Sequence, residues 1–254
     1  MILGRIFAII GPLFLGGLFL LLAVFEKNFY LIFALSGSWT LLSLFGLLKT
    51  SGQVKTLRAY VFYLLMGLLL SAGYLFFFIF LEHQLIKGLA GLLAVFALFY
   101  YYHQLFFHFF QRPLTATDEP LNLNFSETVI VFFWSIALFG LKDFLNYQTV
   151  FLCLAVFVLI FLINWLLQAV LYQQGQLVLF SLAVAVMMTE FFWAFLSLSL
   201  VYYLKGLLLA FAYLGLQMSR EIYFRKIENR HLLRNYLLLI LAAALAILLS
   251  ARWF

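Results

Sequence analysis

Long apolar runs separated by short polar turns make up almost the whole chain. A bilayer core is about 30 Å thick and a helix rises about 1.5 Å per residue, so about 20 apolar residues can cross it. The runs predict an all-α fold, a polytopic transmembrane bundle of nine helices in one integral membrane domain spanning residues 1–254. Eight is the alternative count, if residues 176–217 cross only once. The predicted spans are residues 6–25, 29–48, 57–81, 85–109, 126–141, 149–171, 176–197, 200–217 and 232–251.

Composition supports the membrane class. Of the 254 residues, 67% are apolar and 9% are charged, whereas about 25% of the residues in a soluble domain are charged. Nine spans would leave no room for a separate soluble domain. The single cysteine, Cys153, lies within an apolar run and excludes an internal disulfide.

Basic residues predict the orientation of the spans. A polar, proline-bearing linker, residues 111–126, separates four spans from five. With nine spans, ten basic residues fall on the N-terminal side and five on the other, which favours a cytoplasmic N-terminus. The ten are Arg5, Lys49, Lys55, Arg58, Arg112, Arg220, Arg225, Lys226, Arg230 and Arg234. The five are Lys27, Lys87, Lys142, Lys205 and Arg252.

The most basic stretch is predicted to contact lipid headgroups. Its cations are Arg220, Arg225, Lys226, Arg230 and Arg234. Two forms are open: an interfacial amphipathic helix, or an extension of the preceding helix with a solvated basic face. The net charge of +6 is explained by the positive-inside bias, so membrane lipids are the expected partner and nucleic acid is not.

Two opposite charges, Glu190 and Lys205, lie deep within residues 176–217, which are otherwise almost wholly apolar. Glu190 is predicted roughly 21 Å across the membrane, and Lys205 roughly 7.5 Å below the far surface if a new helix starts near Leu200. Because an isolated charge at the bilayer centre costs about 2.5 to 3.5 kcal/mol, the two side chains are predicted to form an ion pair. The pair either holds adjacent helices together, or Glu190 lines a substrate or proton path.

Polar side chains occur at helical spacing in two other spans. Asn164 and Gln168 share a face of span six, either bonding helix to helix or lining a cavity. Ser36, Thr40 and Ser43 share a face of span two, which is therefore predicted to meet another helix.

The motifs of common enzyme sites are absent from the sequence. It contains no His-Glu-x-x-His zinc motif, no Gly-x-Ser-x-Gly elbow and no phosphate-binding glycine loop. Both aspartates, Asp118 and Asp143, are predicted in loops, which leaves Lys205 without an aspartate counter-ion on a nearby span. No catalytic residue, metal site or cofactor is predicted.

The last 65 or so residues carry a family resemblance, in the segments 190–197, 202–203, 205–209, 233–236 and 250–253. They resemble an uncharacterised multi-pass membrane family, a domain of unknown function, of candidate-phylum bacteria. The resemblance implies a location in the bacterial plasma (inner) membrane. It implies no activity and no functional residue.

Three functions remain open at this point. The leading one is a non-enzymatic envelope subunit, scaffold or lipid-associated factor, with another membrane protein or a second copy of the chain as its partner. The alternative is a transporter or flippase of a small or amphiphilic substrate that uses Glu190, Asn164 and Gln168. The third is an intramembrane enzyme with Glu190 as acid or base.

Two structural observations would separate the first two. If the face of Ser36, Thr40 and Ser43 stayed uncovered, it would require a partner. A water-accessible cavity containing Glu190, Asn164 and Gln168 together, with broken helices at the site, would indicate transport.

Overall fold

The fold is described from a computed structural model that covers residues 2–52, 57–82, 84–111, 124–171 and 177–225, with the single positions 54, 238, 242 and 245. This part of the chain contains eight α-helices and no β-strand. The helices are α1 (Ile2–Val24), α2 (Phe29–Ser51), α3 (Leu57–Ile79), α4 (Gln84–Phe106), α5 (Asn124–Leu145), α6 (Thr149–Leu171), α7 (Leu177–Leu196) and α8 (Tyr202–Arg225). The all-α prediction is confirmed. The described helices number eight, the alternative count, with residues 176–217 divided between α7 and α8. Of the ninth predicted span, residues 232–251, only positions 238, 242 and 245 are described.

Seven of the eight described helices are long and apolar enough to cross a membrane. A lipid-embedded backbone must satisfy its own hydrogen bonds, which helices do internally. The chain is therefore a multi-pass membrane protein. The exception is α8, predicted as span eight, because Lys205, Gln217 and Arg220 lower its hydropathy.

The chain divides into two compact units. The N-terminal unit comprises Met1–Ile130 and Trp165–Gly175, and the C-terminal unit comprises Val131–Asn164 and Gln176–Phe254. In the N-terminal unit, α1 packs against α2 and α4, and α3 packs against the same two helices. Gly11 permits one close approach, since a Cβ there would lie 2.6 Å from the Tyr102 ring.

The polar face of α2 is covered within the N-terminal unit. Ser36, Thr40 and Ser43 are all buried. The hydroxyls of Ser43 and Tyr102, on α4, are 2.6 Å apart and share a hydrogen bond. Thr40 donates to the Ser36 carbonyl at 2.7 Å, and its hydroxyl is 3.4 Å from that of Ser71 on α3. The prediction that this face meets another helix is confirmed, and the face does not require an outside partner.

In the C-terminal unit, the buried face of α8 contributes Lys205, Tyr213 and Arg220 to polar contacts with other helices. Along α8, Lys205, Leu209, Tyr213, Gln217 and Arg220 recur at steps of four, four, four and three residues, and all five are buried. Because such steps keep side chains on one side of a helix, this buried face runs almost the length of α8.

Helices α5 and α7 contribute apolar contacts to the same unit. Gly206 of α8 lies close to α5, and a Cβ there would come within 3.0 Å of the Ile136 backbone nitrogen. The rings of Phe139, on α5, and Phe192, on α7, stack with centroids 4.4 Å apart. Helix α7 also packs along α8. These close contacts determine which polar side chains of α8 meet those of its neighbours.

Candidate functional site

Lys205 pairs with Asp143. Its Nζ lies 3.5 Å from Oδ2 of Asp143 and 6.0 Å from the centroid of the Phe139 ring. The Lys205 side chain is 6% exposed and that of Asp143 is 34% exposed. Asp143 reaches Lys205 because α5 continues to Leu145, so that its last turn meets the first turn of α8.

The predicted Glu190–Lys205 ion pair is therefore wrong, as is the placement of Asp143 in a loop. The apolar run of span five ends at Leu141, because Lys142 and Asp143 are charged. A helix can extend beyond its apolar run where its end is exposed, and Asp143 is partly exposed. The counter-ion of Lys205 was thus present in the sequence, but it was assigned to the wrong element.

Glu190 faces outward from α7. The exposed large apolar residues of the same helix face are Leu179, Leu182, Val186, Met187 and Trp193. Glu190 is itself exposed and lies at the centre of this face by helical spacing. It lies six residues before Leu196, about 9 Å along the helix from its end. Within the described chain, no hydrogen bond or ion pair joins its carboxylate to another residue.

Helix α7 is also sparsely covered. Only 28% of the apolar segment of α7 is buried, compared with 61% of the apolar segment of α3. Glu190 therefore projects from an apolar, exposed face of α7.

Asn164 joins α6 to α8. Its side chain is buried, and Nδ2 donates to the Ile160 carbonyl at 2.9 Å and contacts the Tyr213 hydroxyl at 3.4 Å. Its Oδ1 accepts a hydrogen bond from Nη1 of Arg220 at 3.3 Å. Asn164, Tyr213 and Arg220 are called the Asn164–Arg220 cluster below. The cluster has the geometry of helix-to-helix bonding, one of the two alternatives for Asn164.

Arg220 is 1% exposed, so the prediction that it contacts lipid headgroups is wrong. Helix α8 continues without a break to Arg225, as an extension of the preceding helix would. The spacing from Lys205 through Tyr213 and Gln217 places Arg220 on the buried face rather than a solvated one. That spacing is visible in the sequence and would have predicted the burial.

Several predicted site residues cannot be placed. Gln168 lies in α6 and Arg225 ends α8, but the structure does not describe their side chains. Lys226, Arg230 and Arg234 lie outside the described residues, so a lipid-binding role for them stays a prediction. In the described part of the chain, no three His, Cys, Asp or Glu side chains form a metal-binding group.

No protein-family model, curated protein or solved structure was found to match the chain. The resemblance of the C-terminal segments to an uncharacterised bacterial membrane family therefore stays a prediction. The same holds for a location in the bacterial plasma membrane. The fold and the apolarity of the helices establish a multi-pass membrane protein.

Proposed function

We propose that the protein is a non-enzymatic subunit of a membrane assembly and binds its partner through the outward face of α7. This α7 face consists of Leu179, Leu182, Val186, Met187, Glu190 and Trp193. The observation that carries the proposal is the exposure of the Glu190 carboxylate at the centre of the face.

A charged side chain in lipid carries a free-energy cost. An ionised side chain within a membrane span costs free energy, up to about 2.5 to 3.5 kcal/mol at the bilayer centre, and such residues almost always face a protein interior or a cavity. Glu190 instead faces outward among apolar side chains. A partner helix on the α7 face would remove the carboxylate from lipid and offset that cost. The proposal thus accounts for a residue that is unfavourable in an isolated chain.

Two other features favour a subunit over the alternatives. The polar face of α2 is covered by α3 and α4, which leaves the α7 face as the better contact surface. A transporter would bring Glu190 and Asn164 into one cavity, but Glu190 is exposed on α7 while Asn164 is buried against Arg220. The described geometry therefore favours a subunit over a transporter.

Site-specific photo-crosslinking tests the proposal. Two adjacent methionines of α7 provide a matched pair, since Met187 is 42% exposed and Met188 is 0% exposed. A diazirine analogue of methionine is placed at one position or the other, and the protein is irradiated in its native membrane. We expect a discrete protein adduct from position 187 and none from position 188. The adduct should disappear when Glu190→Gln is combined with the probe.

Native mass spectrometry from lipid nanodiscs provides the second measurement. The expected result is a complex heavier than the 29.4 kDa chain, dissociated by Glu190→Gln. Adducts with lipid alone at position 187, together with a monomeric mass, would contradict the proposal and favour a lipid-associated factor.

A further inference from the structure

We infer that the partner presents one lysine or arginine on its own transmembrane helix, at the depth of Glu190. This inference rests on the proposed function and specifies the chemistry of the partner.

The described cations of the C-terminal unit are engaged elsewhere. Lys205 pairs with Asp143. Lys142 donates to Oδ1 of Asn146 at 3.0 Å and to the Tyr147 carbonyl at 3.4 Å. Arg220 is buried against Asn164. The described cations of the C-terminal unit therefore do not neutralise Glu190.

A second copy of the chain is a poor partner for the α7 face. In a two-fold dimer the same patch meets itself, and Glu190 is the only ionisable residue of α7. Self-association would place two carboxylates against each other, where a low dielectric strengthens their repulsion. A head-to-tail contact fares no better on the predicted external side. There the exposed Lys27 lies in the turn between α1 and α2 rather than on a spanning helix, and Lys142, in the last turn of α5, donates to Asn146 and Tyr147.

The depth of Glu190 indicates where the partner's cation lies. Glu190 is about 9 Å from the end of α7. Trp193 lies one turn nearer that end and is 67% exposed, which suits the membrane interface. A lysine or arginine at this depth carries its own insertion cost, and pairing with Glu190 offsets both costs. Around the pair, Leu182, Val186 and Met187 offer an apolar surface to the partner helix.

Synthetic transmembrane peptides test the inference without knowledge of the natural partner. The probe is a 21-residue peptide of leucine and alanine with one lysine six residues from its end, and its control has leucine at that position. Binding to the full chain in phosphatidylcholine vesicles is measured by fluorescence energy transfer. We expect the lysine peptide to bind about tenfold more tightly, the scale of an interhelical polar contact in membranes.

Variants of the full chain show whether the carboxylate causes the difference. Glu190→Gln should abolish the preference for lysine, whereas Val158→Gln, at an exposed position of α6 outside the α7 face, should retain it. Glu190→Lys should reverse the preference towards a peptide carrying glutamate. Because Glu190 is exposed, its variants should melt at the same temperature as the parent chain, which confirms that they fold.

The possible outcomes separate the inference from the proposed function. Equal binding of the lysine and leucine peptides would overturn the inference, while crosslinking from position 187 would still support the subunit. Loss of the lysine preference in phosphatidylethanolamine vesicles would also overturn it, because lipid ammonium groups would then be the partners of Glu190. If position 187 yields only lipid adducts, the proposed function fails whatever the peptides do.

Discussion

The ammonium of Lys205 lies 3.5 Å from the carboxylate of Asp143, so an ion pair joins the first turn of α8 to the last turn of α5. The pair explains how a helix with a lysine as its fourth residue packs inside the C-terminal unit. It also leaves Glu190, the residue expected to neutralise Lys205, available on the α7 face.

Removing the carboxylate should destabilise the C-terminal unit. In Asp143→Asn the Lys205 ammonium, 6% exposed, loses its anion. We expect unfolding to become easier by about 1 to 2 kcal/mol, below the 3 to 5 kcal/mol of a fully buried pair because Asp143 is partly exposed. The measurement is unfolding by sodium dodecyl sulfate in mixed micelles. The double variant Asp143→Asn with Lys205→Met should recover part of the loss. If the changes in the free energy of unfolding caused by the two single variants simply add in the double variant, the two residues do not interact.

The Asn164–Arg220 cluster predicts a second stability effect. Asn164→Leu removes the acceptor of Arg220 Nη1 and the contact with the Tyr213 hydroxyl. Since a buried polar group that loses its partner costs about 1 to 3 kcal/mol, the variant should unfold at correspondingly lower denaturant. Val158→Leu changes an exposed position of the same helix and should behave as the parent chain. Equal midpoints for the two variants would count against the cluster as a link between α6 and α8.

Gly206 should tolerate no side chain. A Cβ there would meet the backbone of Ile136 at 3.0 Å and 3.2 Å, so Gly206→Ala should force α8 away from α5. Gly215, on the same helix, has nothing within 4 Å of such a Cβ, and Gly215→Ala should leave stability unchanged or raise it by up to about 1 kcal/mol. Cysteine crosslinking between positions 143 and 205 should slow in the Gly206 variant only. Equal crosslinking rates in both alanine variants would refute the close approach.

The hydroxyl of Tyr102 should stabilise the N-terminal unit. Tyr102→Phe removes the hydrogen bond to Ser43 and should cost about 0.5 to 1.5 kcal/mol. Tyr100, on the same helix, packs its ring against Phe125, and no hydrogen bond of its hydroxyl is seen among the described residues, so Tyr100→Phe is the matched control. Thermal melting in detergent distinguishes the two. A melting temperature for Tyr102→Phe as high as that of the control would mean that the bond adds no net stability.

The positions of the helices were predictable because they follow from a single physical requirement. Backbone groups in lipid must bond within their own helix, so length and apolarity predict where helices lie without knowledge of their neighbours. The same local reasoning predicted that the face of Ser36, Thr40 and Ser43 packs against another helix, because their spacing is a property of α2 alone.

Which charged side chains pair with each other was not predictable from the sequence in the same way. Similar depth suggested Glu190 for Lys205, but depth says nothing about the direction in which each helix faces. The extension of α5 to Leu145 and the rotation of α7 bring Asp143 to Lys205 and turn Glu190 outward. Arg220 was misassigned for a related reason. It stands in a stretch rich in charged residues, a composition typical of loops, and this concealed its place on the buried face of α8.

By itself, the sequence determined that the protein crosses a membrane several times and which few polar side chains must be accommodated there. Those properties follow from the free energy of transferring each residue into lipid, which adds along the chain. The tertiary structure decided which charges meet and which one is left on the surface. Those outcomes depend on how each helix is rotated about its axis, and that rotation is set by close contacts between residues far apart in the sequence.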